Sequence, residues 1–154
     1  SYSNLGYALL GHALETAAET PYEQLLHERI LKPAGVKETY LMTPGSVPDD
    51  APRGLTAAGR EAEPWEMEGC PAAAGAVRST AHDMAAFAAW FMEHGDTSYG
   101  WQKNDDGKSF WHNGGTSGYS TMLIIDPKEN RAAFANNDSP AGTEDLTEAL
   151  FERI

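Results

Sequence analysis

Two short stretches of the sequence combine residue types that could carry out acyl-transfer chemistry. The first is His112-Asn113-Gly114-Gly115, which precedes the apolar, β-branched segment 121–125. Adjacent glycines let a ligand approach the main chain closely, and their N–H groups can point at a developing negative charge. The stretch therefore predicts either a substrate-binding start of a strand or a plain turn before a core strand, with His112 as an ordinary surface histidine.

The second stretch is Tyr2-Ser3-Asn4, which stands immediately before an apolar helical pattern. A tyrosine hydroxyl can transfer a proton, and a neighbouring amide can hydrogen-bond a substrate carbonyl or amide group. Asn4 also has a simpler interpretation as the N-cap of the helix. The two stretches could serve one reaction only if the fold brings them together.

Helices are predicted for most of residues 1–98. Apolar residues recur in two rows over 5–16, which predicts a mostly buried helix. Thr20-Pro21-Tyr22-Glu23 combines a cap, a first-turn proline and a capping-box glutamate, so a second helix should begin there and end near 33–35. We expect these two helices to form a hairpin.

A long irregular loop is predicted over 43–75, after a short strand near 38–42, because this stretch is rich in Pro, Gly, Ala and Asp. The clearest helix follows it. Thr80 should cap this helix and Asp83 should complete the capping box. The residues of its buried stripe, which ends at Gly95, are Met84, Phe87, Ala88 and Phe91.

Strands are predicted after residue 98. Segments 109–112, 118–125 and 131–136 have strand character, and 127–130 should form a turn, which gives an antiparallel meander. Residues 143–154 should form a helix that packs on the sheet through Leu146, Leu150, Phe151 and Ile154. The predicted fold class is α+β, an antiparallel sheet with packed helices.

Composition excludes several kinds of partner. The formal net charge of −12 over 154 residues would repel nucleic acid and anionic membranes. No apolar run approaches the roughly 20 residues that span a bilayer, so no membrane span is predicted. His27, His82 and His94 lack the spacing of a zinc site, so neither a metal nor a cofactor is expected.

The two stretches, in this order, resemble the serine β-lactamase and penicillin-binding protein family. The branch is that of class C β-lactamases, D-alanyl-D-alanine carboxypeptidases, alkaline D-peptidases and related esterases. Residues 2–11 resemble its second sequence box, and 112–119 resemble its third, which is His-x-Gly in carboxypeptidase-like and D-peptidase-like members. Residues 30–36 are similar to its Pro-Leu-Gly-Met turn, and 71–84 to its Pro-Ala-Gly-Gly-Leu-x-Ser-Thr-x-x-Asp segment.

The family's first box, Ser-x-x-Lys, carries the nucleophile and its base. It has no counterpart in these residues. The residues three positions before the five lysines are Arg29, Ala34, Gly100, Asp105 and Ile125. We therefore expect residues 1–154 to be the C-terminal part of one β-lactamase/transpeptidase-like domain, inactive alone, whose serine comes from a missing N-terminal segment or another chain. The alternative is a non-catalytic fragment or a divergent ligand-binding module.

The resemblance implies a role for each residue of the two boxes. Tyr2 would transfer a proton to the leaving group, Asn4 would orient the substrate amide, and His112 would stand where many relatives have lysine. Gly115 would supply an oxyanion-hole N–H, and Gly114 would leave room for the substrate. The substrate would be a small molecule or a peptide with an acyl group, and the resemblance suggests an extracellular or cell-envelope location.

Overall fold

The computed structural model describes residues 2–154, except for the side chain of Cys70, and the four strands of its larger sheet follow one another after α3. The helices are α1 (Asn4–Ala18), α2 (Tyr22–Leu26), α3 (Ala81–His94) and α4 (Glu144–Phe151), and a π-helical turn (His27–Leu31) continues α2. The strands are β1 (Tyr40–Leu41), β2 (Val77–Arg78), β3 (Gln102–Lys103), β4 (Phe110–Thr116), β5 (Tyr119–Asp126) and β6 (Arg131–Asn137). The predicted α+β class is confirmed.

Helix α1 begins one residue earlier than the sequence predicted. Ser3 is its N-cap, because the Ser3 hydroxyl accepts a hydrogen bond from the Gly6 N–H at 3.1 Å. Asn4 is the first helical residue, so the interpretation of Asn4 as the cap is wrong. The Asn4 side chain is therefore free of a capping duty.

The predicted burial of α1 is also wrong. Leu5, Leu9, Leu10 and Leu14 are 69%, 58%, 52% and 47% exposed. The buried residues of the helix are small, Ala8 and Gly11, and a Cβ at Gly11 would lie 2.3 Å from the Ala73 Cβ. The small-residue side packs closely against the 70–74 turn, and the leucine rows stay largely exposed.

The hairpin of α1 and α2 is held by a different cap from the predicted one. Thr20 donates its hydroxyl to the Ala18 carbonyl, and no side chain of 20–23 caps α2. The Tyr22 N–H instead donates to Oε1 of Glu15 at 2.8 Å. A carboxylate from α1 therefore satisfies the start of α2, a long-range contact that a local capping box does not reveal.

Residues 43–69 contain no named strand or helix, which confirms the predicted loop. Before it, β1 pairs with β2, with Tyr40 opposite Arg78. The loop returns to the second half of the chain at Gly54, where a Cβ would lie 2.4 Å from the Gly118 carbonyl oxygen. Only glycine allows the loop to approach the β4–β5 turn this closely.

Helix α3 begins at the predicted cap. The Thr80 hydroxyl accepts from the Asp83 N–H at 3.2 Å, and Gly95 follows the last residue of the helix. The second half of the predicted capping box is wrong. The buried Asp83 carboxylate accepts from the Lys37 N–H at 3.0 Å, the Glu38 N–H at 2.7 Å and the Thr39 hydroxyl at 2.8 Å, which anchors α3 to the strand that precedes the long loop.

Replacing Asp83 by Asn is expected to lower the free energy of unfolding by about 3 kcal/mol, because the three donors that share Oδ2 lose a charged acceptor and keep at best a neutral amide oxygen. Burial raises the pKa of the Asp83 carboxyl, but the three hydrogen bonds outweigh burial and hold this pKa below its ordinary value of 3.8. The stabilisation is therefore present above that value and is lost as the pH falls through the native pKa.

Urea unfolding at pH 7 and at stepwise lower pH measures both effects. The exposed Asp105→Asn change is the matched control and should shift the unfolding free energy by less than about 0.5 kcal/mol. An Asp83→Asn protein as stable as the parent at pH 7 would show that the charge of the carboxylate does not strengthen the three bonds.

The main sheet has the order β3-β4-β5-β6, all antiparallel, which confirms the predicted meander and adds the short β3. Its two faces are covered by different helices. Ala88 of α3 packs with Leu123 and Ile125, whereas Phe151 of α4 packs with the opposite face at Met122 and Ile124. Alternate residues of β5 thus belong to two separate clusters.

Helix α4 does not present the predicted face. Thr143, Thr147 and Phe151, each four residues apart, are buried, whereas Leu146, Leu150 and Ile154 are 56%, 42% and 63% exposed. The Thr147 hydroxyl donates to the Thr143 carbonyl at 2.7 Å, so a polar residue is buried without an unmet donor. Of the four predicted contacts, only Phe151 is made with the sheet.

The glycine stretch lies inside β4 and not at the start of the next strand. Gly114 and Gly115 pair with Thr121 and Ser120, and the turn is formed by residues 117–118, with Gly118 at φ +78°. Residues 112–115 have weak strand propensity, so pairing with β5 imposes their conformation.

Within 2–154, no helix is long and apolar enough to cross a membrane.

Candidate active site

The outer edge of β4 is set by the turn that joins it to β5. Thr116 and Tyr119 are paired across a two-residue turn, so they must exchange the two hydrogen bonds of a closely bonded pair. Main-chain groups then alternate, and those of Gly115 and Asn113 point away from β5. The Asn104 N–H, which donates to the Ser109 carbonyl at 3.0 Å from that side, follows the same alternation.

Strand β3 covers only the first part of this edge. Gln102 pairs with Trp111 and Lys103 with Phe110. Beyond Trp111 no strand of the described residues continues along β4, and Gly114 and Gly115 are exposed. The N–H of Gly115 therefore faces an open edge, where it can donate to an oxyanion or to an added peptide strand.

His112 is half-buried on the sheet face that α3 covers, opposite Leu123. Its Nδ1 lies 2.7 Å from the main-chain oxygen of Asn113. Since a carbonyl oxygen only accepts, Nδ1 carries the hydrogen in the neutral ring, and Nε2 is left with its lone pair. The ring is thus oriented by its own strand.

Tyr2 lies against His112, although the two residues are far apart in the sequence. The centroids of their rings are 5.7 Å apart with an interplanar angle of 54°, and the Tyr2 ring also lies 5.4 Å from the ring of Tyr7. Tyr2 is 54% exposed, so its hydroxyl is accessible. The structure therefore brings the two predicted stretches together.

The structure places the remaining predicted residues as follows. Asn4 is exposed at the first turn of α1, two residues from Tyr2, and has no hydrogen bond to the other predicted site residues in the described part of the chain. A Cβ at Gly114 would lie 3.2 Å from Oγ1 of Thr121, whereas a Cβ at Gly115 would meet only the Tyr119 oxygen at 3.9 Å. Gly115 therefore tolerates alanine better than Gly114 does.

An open cavity of about 320 Å³ adjoins His112, between α3 and the sheet. Most of its lining is apolar or aromatic. The lining side chains include Met84, Phe87, Tyr99, Trp101, Leu123 and Phe134. Thr121 and Asn113 also line it, and sequence reasoning missed both. Reading 117–118 as a two-residue turn would have placed Thr121 opposite Gly114.

Asn113 connects the site to α4. Its side-chain Nδ2 donates to Oε1 of Glu144 at 2.9 Å. This hydrogen bond, more than any other contact, holds the pKa of the Glu144 carboxyl below its ordinary value of 4.5. Among the side chains that the structure describes, which leave out Cys70, no three of His, Cys, Asp or Glu are grouped so that they could hold a metal ion.

Comparison with known proteins shows the family of this chain. The sequence profile of the family described as Beta-lactamase matches residues 1–150. The D-alanyl-D-alanine-carboxypeptidase/endopeptidase AmpH of Escherichia coli K12 is 40% identical over 85 residues, which are 54% of this chain and 21% of that protein. The chain thus spans about a fifth of the length of this relative.

Solved structures show the same fold at low sequence identity. A penicillin-binding protein from Bacillus halodurans matches all of this chain with a TM-score of 0.80 at 16% identity, over 56% of its own length. A class C β-lactamase from Rhodobacter sphaeroides matches 99% of the chain with a TM-score of 0.77 at 16% identity, over 59% of its own length. The profile match covers nearly the whole chain, and the chain therefore belongs to the β-lactamase family.

Proposed function

We propose that this chain forms one wall of the active site of an acyl-serine hydrolase, a β-lactamase, D-alanyl-D-alanine carboxypeptidase or related D-peptidase or esterase. The nucleophilic serine and its lysine lie in a segment outside residues 1–154. One observation carries the proposal. The Tyr2 ring lies 5.7 Å from that of His112, on the strand whose Gly115 N–H faces an open edge.

The chemistry follows from these positions. The serine oxygen attacks the substrate carbonyl carbon and passes its proton to the lysine, and the carbonyl oxygen becomes an oxyanion held by the N–H of the serine and that of Gly115. The carbon-to-leaving-group bond breaks as Tyr2 gives its proton to the leaving atom, and Tyr2 takes the proton that the lysine received from the serine. Asn4 donates its amide to the substrate and orients it. Water then adds to the acyl carbon, the bond from that carbon to the serine oxygen breaks, and one proton of the water passes to the serine oxygen, which restores the serine.

His112 contributes to recognition in this scheme. Its hydrogen-bonded Nδ1 fixes the ring in the wall of the site, beside Tyr2. A protonated His112 would attract the carboxylate of a peptide substrate, as lysine does in many relatives. The name of the AmpH relative, a carboxypeptidase and endopeptidase for D-alanyl-D-alanine, makes peptides of that type the first substrates to test.

The apolar surfaces of the chain support a partner segment. The cavity beside His112 is open and mainly apolar, and the leucine rows of α1 are exposed. The two matched structures extend well beyond the part that this chain covers, since it spans 56% and 59% of them. A helix that brings the serine to Gly115 and Tyr2 would fill the cavity and cover apolar surface.

The test is turnover by the full protein compared with the 154-residue chain. The full protein should release product from a D-alanyl-D-alanine peptide, a chromogenic β-lactam or a p-nitrophenyl ester, and the chain alone should stay at the rate of buffer. Both proteins must first show a cooperative unfolding transition. Turnover by the isolated chain would contradict an external serine, and no turnover of any substrate by the full protein would contradict the hydrolase.

A non-catalytic ligand-binding module is the second candidate, because these residues contain no Ser-x-x-Lys. Such a module would bind the same peptide or β-lactam reversibly and without turnover. Equilibrium dialysis with the labelled ligand, followed by recovery of unchanged ligand, separates it from the enzyme.

A further inference from the structure

We propose that the hydrogen bond between Asn113 and Glu144 is a positioning device that holds the open edge of β4 in its working place, so that α4 acts on the reaction through Asn113. The inference rests on the proposed hydrolase function. Neither residue is proposed to touch the substrate. Their task is to keep His112 and the Gly115 N–H in register with the rest of the site.

The edge needs such support because little else holds it. From His112 onward β4 is paired on one side only, with β5. Its next residues after Asn113 are two glycines, which have no side chains to pack and gain more freedom than other residues when a strand loosens. Asn113 makes the side-chain hydrogen bond that joins this stretch to another element.

Asn113 reaches both sides of its strand. Its side chain lies on the face of α4 and donates to Glu144 at 2.9 Å, while its main-chain oxygen lies 2.7 Å from Nδ1 of His112. Movement of Asn113 therefore moves the group that orients the His112 ring. The Gly115 N–H, two residues along the same edge, moves with it.

Glu144 is itself held in place. It is the first residue of α4, next to the buried Thr143, and the carboxylate is close to Gly142, where a Cβ would lie 2.1 Å from Oε2. Alanine at Gly142 would therefore displace the carboxylate without touching Asn113. The chain thus offers two independent ways to break the same contact.

The experiment measures turnover by the full protein with the best substrate found above. Asn113→Ala, Glu144→Ala and Gly142→Ala should each lower kcat about tenfold or more, because small misplacements of reacting groups have effects of that order or larger. KM should change less than kcat. Glu144→Gln retains an oxygen that accepts from Asn113 and should keep kcat within about twofold of the parent.

A double-mutant cycle and a spectroscopic readout distinguish positioning from a general loss of stability. Gly142→Ala should have little further effect in a Glu144→Ala background, since the contact is already absent. The ¹⁵N shifts of the His112 ring should indicate hydrogen on Nδ1 in the parent and a mixture of tautomers in Asn113→Ala. Melting temperatures are recorded for every variant.

Each result decides one point. An inactive parent overturns the proposed hydrolase function, and the positioning role of the Asn113–Glu144 hydrogen bond falls with it. An active parent with an unchanged kcat in Asn113→Ala overturns the positioning role alone. A Glu144→Gln protein as impaired as Glu144→Ala overturns it as well. Equal losses in Asn113→Ala, Glu144→Ala and Gly142→Ala, with the Glu144→Gln protein preserved, support it.

Discussion

Replacing Gly115 by proline in the full protein is expected to lower the acylation rate by about 10²–10³, the usual effect of removing one oxyanion-hole donor. Proline has no main-chain N–H, and that of Gly115 is the group that the open edge of β4 presents. The substitution does not remove a bond of the β4–β5 ladder, because the Gly115 N–H points away from β5. Proline is tolerated at such edge positions.

Gly115→Ala is the matched control. It keeps the N–H, and its Cβ would meet only the Tyr119 oxygen at 3.9 Å, an ordinary contact. The alanine protein should retain acylation within a few-fold of the parent, measured by stopped-flow or quenched-flow with a reporter β-lactam. Equal losses in both variants, with folding intact, would show that the space at Gly115 matters and its N–H does not.

Removing the hydroxyl of Tyr2 is expected to lower kcat by about 10²–10⁴, the range of general acid–base contributions. Tyr2→Phe keeps the ring, and with it the contacts to Tyr7 at 5.4 Å and to His112 at 5.7 Å. Since only the proton-transfer group is lost, kcat should fall while KM stays within a few-fold. Steady-state turnover of the peptide substrate measures both constants.

Tyr7→Phe provides the control for Tyr2. It removes a hydroxyl from the neighbouring ring, which lies on α1, and we expect less than a threefold change in kcat. A Tyr2→Phe protein as active as the parent would rule out the proton-transfer role, whatever else Tyr2 does. A large loss in Tyr7→Phe would assign the proton transfer to Tyr7.

Patterns that depend on one segment were read correctly from the sequence. The Thr80 cap, the end of α3 at Gly95 and the meander of β4, β5 and β6 each follow from residues within a few positions of one another. The pairing of Tyr2 with His112 was also expected, but on the resemblance and not on periodicity. The family's order of boxes supplied the distance information that a single sequence lacks.

The misread features depend on contacts between distant residues. Asp83 binds residues 37–39 and not the start of its own helix, and Glu15, not the predicted Glu23, satisfies the start of α2. The leucines of α1 were expected to be buried because apolar rows usually are. Hydrophobic periodicity indicates that a helix face needs cover but not which part of a protein supplies it.

At the site, as in the fold, features with a local sequence signal are predicted and contacts between distant residues are not. The glycines of 114–115 are predicted as a main-chain site but at the start of the next strand, because weak strand formers hide a strand that its neighbour imposes. Asn113 is part of the stretch singled out in the sequence, but the sequence gives it no role of its own. Its contact with Glu144 joins residues 31 positions apart and has no local signal.

The central claim is that Tyr2 and the edge of β4 serve one acylated serine. A crystal structure of the full protein, trapped as its acyl-enzyme with a slowly released β-lactam, tests this directly. We predict acylation of a serine outside residues 1–154, with the acyl oxygen about 2.7–3.1 Å from the Gly115 nitrogen and the Tyr2 hydroxyl within hydrogen-bond reach of the serine oxygen. An acyl group bound elsewhere, with its oxygen turned away from Gly115, would contradict the account.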